Sequence, residues 1–343
     1  MYYDRHQDRI RSVLNWFNKA SSDNLASIVP HTEGLAAACI TQRAAQKPLL
    51  SNCIFQPQIS DAKTTVNQLL QQTNLTKDPA ITLLDSSNFL LLLMQRPSVE
   101  EQELADAIRW QIKDQLGYPA EEAIIEILEI PGQQERGRLP MIYVIAAHQD
   151  AVKSSIQLLE DSKINLQYVD IPEMAQRNIS SLLPEDFIGV ALLNLQANHG
   201  LLTITHEGEL YLSRTIDIGY EHLETHEEHA QETRGLSLEQ SSSELETNIS
   251  KIVLEIQRSL DYYESHYGKP TIGNLVVAPL ENKIPGFNEQ LEQDLGVAVR
   301  SLNLEEIIDI DSSFEIELQA KCFSAIGAAL RDAVSHATLN KLD

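Results

Sequence analysis

The sequence predicts an α/β protein of two lobes, each opening on a three-stranded meander, with a smaller α+β unit inserted in the first. Three observations carry this prediction. The chain has 343 residues, more than one ordinary core accommodates. Residues 189–219, GVALLNLQANHGLLTITHEGELYLSRTIDIG, hold three strand patterns. Val190 to Leu195 is apolar apart from Asn194, as suits a strand buried on both faces, and Leu201 to Thr205 and Glu209 to Ile216 alternate around the turn His206-Glu207-Gly208. A fainter copy lies between Leu25 and Phe55, where LASIV, GLAAACI and NCIF are separated by turn residues, and such repetition predicts two related lobes.

The elements follow in order. Residues 1–24 stand apart as a basic amphipathic segment. Arg5, Arg9, Arg11 and Lys19 outnumber Asp4 and Asp8, while Ile10, Val13, Leu14 and Phe17 form one apolar helix face with Trp16 beside it. That pattern suits either a contact of residues 1–20 with a membrane surface or docking on the body of the protein. The first lobe is expected over residues 25–96 and 170–188, with a helix from Asp61 to Gln72 and strands from Ala80 to Leu84 and Phe89 to Met94.

The insert is expected over residues 97–169. Pro97-Ser98-Val99-Glu100-Glu101 opens a helix with Ser98 as N-cap and acids in the first turn, and the helix runs through Ile108, Trp110, Ile112 and Leu116 to the stop Gly117-Tyr118-Pro119. Strands at Ala123 to Ile130, Met141 to Ala147 and Leu166 to Ile171, with a helix at Gln149 to Leu159, complete it. The second lobe spans residues 189–343. Its acidic segment 222–247, which contains SLEQSSSE, reads as a solvated helix followed by a mobile loop. Beyond it come a helix from Ile249 to Tyr263 with Ile252, Ile256, Leu260 and Tyr263 on one face, a strand at Leu275 to Ala278, and a helix at Phe287 to Leu295. A strand at Val297 to Val299 and a closing helix at Phe323 to Val334 end the lobe.

Composition excludes several function classes. The 43% hydrophobic and 22% charged content is that of a globular protein, and a net charge of −24 argues against binding nucleic acid, which requires a basic stripe. Cys39, Cys53 and Cys322 are odd in number and lack metal-type spacing, so all three read as buried small apolar residues in a reducing compartment. No signal-peptide pattern is visible, and the longest apolar run, Phe89 to Met94, is too short to cross a bilayer, so the expected location is the cytosol. His222, His226 and His229 share one helix face, but HLETHEEHA fits no zinc motif and has no cysteine near it; a solvated helix without a metal is expected. No nucleophile elbow or glycine-rich phosphate loop occurs, and pairs such as Glu227-Glu228 and Glu305-Glu306 read as solubilising, so no catalytic residue is nominated.

The meander of residues 189–219 is the kind that opens each half of an actin-like nucleotide-binding fold. There the first strand ends in Asp-x-Gly, because a carboxylate holds a metal-bound water and a glycine lets backbone N–H groups approach phosphate. This chain has Asn194 and Gln196 instead.

Several segments together resemble the PilM family of type IV pilus assembly proteins, and especially its MshI branch from the mannose-sensitive haemagglutinin (MSHA) pilus system. They are VEEQELADAIRWQIKDQLGYPAEEAIIEILEI with MIYVIAAHQDAVKSSIQLLEDSKINLQYVDIPEMA for the insert, GELYLSRTIDIGYEHL with KIVLEIQRSLDYYESHYG for the second lobe, and the Pro285-Gly286-Phe287 turn before a helix ending in DLGV. The resemblance covers roughly residues 25–335. It implies an actin-like fold of the FtsA type, a cytoplasmic location peripheral to the inner membrane, and binding of the short cytoplasmic tail of a PilN-type membrane protein. Nucleotide binding belongs to better-preserved members. Here Val29-Pro30-His31 stands where the family begins with Asp-Ile-Gly, Asn194-Leu195-Gln196 occupies the second phosphate loop, and Val277-Ala278-Pro279-Leu280 replaces a Gly-Gly-rich turn near the adenosine.

The resemblance therefore implies a degenerate site, with no hydrolysis, no required cofactor and at most residual ATP/Mg binding near Asn194, Gln196, Glu255 and Arg258. Trp110, Leu116 and Tyr118 border the insert and are nominated for partner binding, with core packing as the alternative. The expected function is a non-catalytic scaffold of an MSHA-type pilus platform. The rivals are a divergent active ATPase in which Asn194 replaces the metal-organising carboxylate, and a GspL-like cytoplasmic domain of type II secretion, which is usually followed by a transmembrane helix that is not seen after Asp343.

Overall fold

The computed structural model describes residues 23–58, 61–73, 75, 77–133, 139–223, 237–310 and 314–332. The expected N-terminal amphipathic helix lies outside the described residues, as do His226 and His229. The chain divides into two compact units, residues 1–175 with 324–333 and residues 176–323 with 334–343.

In the first unit the meander is formed by β1 (Asn24–His31), β2 (Gly34–Thr41) and β3 (Leu49–Pro57), paired antiparallel with Ala26 opposite Cys39 and Ala38 opposite Cys53. Next to β1 lies β4 (Pro79–Leu83), parallel to it, and then β8 (Asn165–Asp170), parallel to β4, giving the order β3-β2-β1-β4-β8. Leu25 to Val29 are all buried, which explains why β1 reads as an apolar run rather than an alternation. Helix α1 (Ala62–Gln72) is capped by Asp61, whose carboxylate accepts from the Thr64 N–H at 3.0 Å, and it buries Val66 and Leu69. Helix α3 (Gln149–Asp161) leads into β8; His148 Nδ1 caps it by accepting from the Asp150 N–H at 3.1 Å.

The insert is a three-stranded antiparallel sheet, β5 (Phe89–Gln95), β7 (Met141–His148) and β6 (Ala123–Glu129) in that spatial order, with helix α2 (Glu101–Ile112) laid on it. Leu104, Ile108 and Ile112 recur at one helical turn and pack with Ala123, Ile142, Val144 and Ala146. Burying each large side chain there stabilises the insert by roughly 1.5–3 kcal/mol.

Three boundaries differ from expectation. Strand β5, expected in the first lobe, pairs with β7 in the insert, and β8, expected in the insert, pairs with β4 in the large sheet. Leu166 and Tyr168 of β8 are buried while Asn165 and Gln167 are exposed, and the crossover through α3 returns the strand parallel to β4. Ser98 does not cap α2: the helix starts after Glu100, because the Val99 N–H turns back to the Pro97 carbonyl.

The second unit repeats the first. Strands β9 (Val190–Leu195), β10 (Gly200–His206) and β11 (Glu209–Ile216) form an antiparallel meander, β12 (Asn274–Val277) runs parallel to β9, and β13 (Ala298–Ser301) runs parallel to β12. The order β11-β10-β9-β12-β13 is again third, second, first, fourth, fifth. Glu207 (φ 52°) and Gly208 (φ 80°) give the β10–β11 turn the two left-handed residues of a tight hairpin, and the buried Asp186 carboxylate holds the Gly208 N–H at 2.6 Å. Helix α4 (Pro172–Ser180) contains the divide between the units at 175/176, and α7 (Ile316–Ala329) contains it at 323/324.

Helix α5 (Ser237–Tyr267) begins earlier than expected, so SLEQSSSE is helical and not a loop. No Gly or Pro interrupts residues 236–267, and Leu, Glu and Gln favour helix. Ile252, Ile256 and Tyr263 form its buried stripe, with Leu260 half-buried. Helix α6 (Phe287–Leu295) stands as expected. Helix α7 starts seven residues before the expected Phe323, because the polar Gln319 masks the pattern: it is buried, bonding the Leu304 N–H and the Phe314 carbonyl. Cys39 and Cys322 are buried, whereas Cys53 on β3 is only half-buried.

Candidate functional site

Open α/β sheets bind ligands beyond the carboxyl ends of their strands. In the second unit the chain's own groups bond one another there. Asn194 is buried on β9 opposite Leu201. The Gln196 N–H donates to the His199 carbonyl at 2.8 Å, and the carbonyls of Gln196 and Ala197 accept from the N–H groups of Tyr220 and Glu221 at 2.9 and 3.1 Å. This approach requires Gly219, since a Cβ there would lie 2.2 Å from both carbonyl oxygens.

After β12, the Ala278 N–H donates to Leu193 at 2.8 Å and Pro279 offers no donor. Glu281 then accepts from the Tyr220 hydroxyl at 3.3 Å and pairs with Lys321 at 3.4 Å, its side chain only 13% exposed. Glu281 and Lys321, forty residues apart in sequence, are site residues the sequence reading missed. Glu255 and Arg258 bond each other at 2.8 Å, and Arg214 of β11 lies 3.6 Å from the same Glu255 carboxylate. The bonds of their charged groups run to one another and to Arg214.

In the first unit the β1–β2 turn is similarly self-bonded. His31 Nδ1 accepts from the Glu33 N–H at 3.2 Å, its ring meets Phe55 edge-on at 5.0 Å, and the Gln58 N–H donates to the Glu33 carbonyl at 2.8 Å. His222 accepts from the Gly219 N–H at 3.2 Å through Nδ1 in a one-turn cap; among the described residues no cluster of His, Cys, Asp or Glu could hold a metal.

Among the described residues, one concave feature of the insert is a groove of about 530 Å³ between α2, the turn Ala120–Glu122 and β6. Trp110, Arg109 and Asp106 form one wall, Glu121 and Glu122 an end, and the consecutive residues Ala123 to Glu126 the other wall. Trp110 is 63% exposed. The two residues nominated alongside it are elsewhere: Leu116 is buried in the apolar core, and Tyr118 packs against that core with its ring edge-on to His148 at 4.6 Å. Burial pushes the Tyr118 phenol above its usual range. The turn after α2 folds them back under the sheet. Arg109 bonds Asp106 and reaches the Ala123 carbonyl at 3.5 Å, leaving its Nε buried without a partner. Glu122 is tied to His148 Nε2 at 2.8 Å.

The first unit also buries polar groups at the start of α4. Asp170 pairs with Arg331 at 2.6 Å, and the guanidinium lies 4.6 Å from the Tyr168 ring centre. Desolvation, with the Asp170 charge adding to it, pushes Glu173 up to about 7.

Two sheets with the same meander-first strand order, a small sheet inserted in the first unit, and helices carrying the chain from one unit to the other define an actin-like α/β fold, the fold expected from the sequence. Residues 35–333 match the family model described as "Type IV pilus assembly protein PilM", and the chain belongs to that family. Its structure is similar to a chain of a solved "PilM-PilN type IV pilus biogenesis complex", with a TM-score of 0.68 and 18% identity over 92% of this chain and 99% of that one. Weaker likenesses, with TM-scores of 0.46 and 0.45, are to a protein of actin-like ATPase fold from Bacteroides thetaiotaomicron (9% identity, 88% and 95% covered) and to the cytoplasmic domain of EpsL, an inner-membrane component of the type II secretion system of Vibrio cholerae (8% identity, 88% and 94% covered). No curated protein matches the sequence.

Proposed function

We propose that this chain is a non-catalytic scaffold of an MSHA-type pilus platform, of the MshI branch, that works at the cytoplasmic face of the inner membrane by binding the cytoplasmic tail of a PilN-type protein. The observation that carries the reading is the state of the strand ends. The actin-like frame is kept, while the Gln196–Ala197 turn spends its backbone on Tyr220 and Glu221 and the Glu281 carboxylate after β12 is paired with Lys321. Phosphoryl transfer is positioning plus electrostatic stabilisation, and Asn194 and Gln196 stand where an Asp-x-Gly would hold the metal-bound water and the phosphate. The exposed Trp110 beside the groove supplies an aromatic anchor of the kind that dominates peptide interfaces.

Two measurements on one preparation test this. Phosphate release from Mg-ATP stays at the blank, and calorimetry gives an affinity no tighter than about 1 mM, roughly −4 kcal/mol. A synthetic PilN-type tail binds without nucleotide, and Trp110→Ala weakens that binding by about 1–2 kcal/mol. Turnover that disappears on Asn194→Ala would overturn the non-catalytic reading; absence of any tail binding would overturn the scaffold.

A further inference from the structure

The first-turn N–H groups of a helix have no carbonyl within the helix to bond, and Ser, Thr, Asp or Asn ordinarily supplies an acceptor that keeps its form at neutral pH. Helix α3 uses an imidazole instead: His148 Nδ1 accepts from the Asp150 N–H at 3.1 Å. An accepting Nδ1 carries no proton, and Nε2 lies 2.8 Å from a Glu122 carboxylate oxygen, so the ring's one proton sits on Nε2 and is donated there. The ring is thus bonded at both nitrogens, to the insert through Glu122 and to α3 through Asp150. The His148 side chain is 27% exposed and that of Glu122 42%, so solvent protons reach the pair. Around the ring stand Glu122 from the turn before β6 and Tyr118, edge-on, from the turn after α2. Arg109 of α2 reaches the carbonyl of Ala123, the residue opposite His148 on β6, and on α3 Lys153 lies 3.5 Å from the Asp150 carboxylate.

We propose that His148 is a proton-operated latch between the insert and α3: neutral, it holds the first turn of α3, and doubly protonated, it keeps Glu122 and releases that turn. Histidine is the side chain whose ordinary change of charge falls between pH 5 and 8. The imidazolium stays with Glu122, because a charge-assisted bond to a carboxylate is stronger than a bond between a neutral ring and a backbone N–H. Nδ1 then turns an N–H toward the N–H of Asp150, donor against donor, and a positive charge stands at a helix N-terminus, where the helix dipole disfavours it. Glu122 and Gln149, the first residue of α3, both line the groove beside Trp110, and α3 carries the chain from the insert into β8. The release therefore acts at one end of the groove and at the join between the insert and the large sheet.

The test is amide hydrogen exchange of the full chain at pH 8 and pH 5, each rate divided by that of an unstructured peptide at the same pH. Protection of the Asp150 N–H should fall about fivefold from pH 8 to pH 5 while the amides of β7 keep theirs, since a cap holds only the end of its helix. In His148→Asn the side-chain oxygen caps in the manner of Nδ1 and does not titrate, so protection at Asp150 should be the same at both pH values. Glu122→Gln accepts the Nε2 proton without a charge, and the loss at pH 5 should be blunted because the imidazolium lacks its counter-ion. Nitrogen chemical shifts of the His148 ring in the unaltered chain give an independent reading: protection at Asp150 should fall over the same pH range in which Nδ1 gains its proton. Equal protection at both pH values, a loss that runs over a different range from the ring, or an equal loss in His148→Asn would each overturn the inference. None of these readings involves the pilus partner, so the scaffold function stands or falls separately.

Discussion

Glu173 shows how a single side chain can make the stability of the fold depend on pH. It occupies the second position of α4, fully buried, with Asp170 nearby, and its carboxyl is pushed from the ordinary 4.5 up to about 7. Between those values the unfolded chain releases a proton that the folded chain retains. The contribution is therefore fully present below about pH 4.5 and lost as pH rises through about 7, a difference of roughly 3 kcal/mol. Glu173→Gln keeps the shape and cannot ionise. It should raise the melting temperature at pH 8 by several degrees and leave it nearly unchanged at pH 4, a window read directly from thermal melts across pH. An equal effect at both pH values would show that packing, and not ionisation, sets the cost.

Helix α2 is the element in which stability and recognition separate. Leu104, Ile108 and Ile112 face the sheet of the insert, whereas Asp106, Arg109 and Trp110 face the groove. Leu116→Ala should accordingly cost about 2–5 kcal/mol by denaturant titration, while Trp110→Ala, removing a mostly exposed ring, should stay within about 0.5 kcal/mol. A large loss of stability in the Trp110 variant would place that ring in the core. The same helix shows what the sequence makes legible. Its apolar residues marked a helix running through Ile108 and Ile112, and apolar runs in β1 and β9 with alternation in β10 and β11 marked strands of the meanders. Sheet membership was not legible, because β5 and β8 carry similar apolar runs and only tertiary pairing assigns one to the insert and the other to the large sheet. Nor could periodicity separate Trp110 from Leu116 and Tyr118, since the turn at Gly117 decides which apolar side chains fold under. In the candidate site, the loss of Asp and Gly at Asn194 and Gln196 was plain from local residues, whereas Glu281 with Lys321 and the groove edge depend on long-range contacts.

At the scale of the whole molecule the governing quantity is charge. With 26 basic and 50 acidic side chains the chain carries a net charge of −24, and an anionic leaflet repels it over the Debye length of about 8 Å at physiological salt. No helix among the described residues is long and apolar enough to cross a membrane. The basic residues of the N-terminal segment work against the repulsion, each worth roughly 1 kcal/mol close to an anionic surface, and they are few against the charge of the whole. Attachment under the proposed function therefore depends on a protein tether. Vesicles with anionic lipid should leave the chain in the supernatant at about 150 mM salt, where surface attraction is screened. Vesicles bearing a lipid-anchored PilN-type tail should sediment it, and deleting residues 1–20 should alter only the binding seen at low salt. Equal sedimentation with bare anionic vesicles at physiological salt would mean that the basic segment outweighs the body's charge, and the tail would then orient a protein already held at the membrane instead of recruiting it.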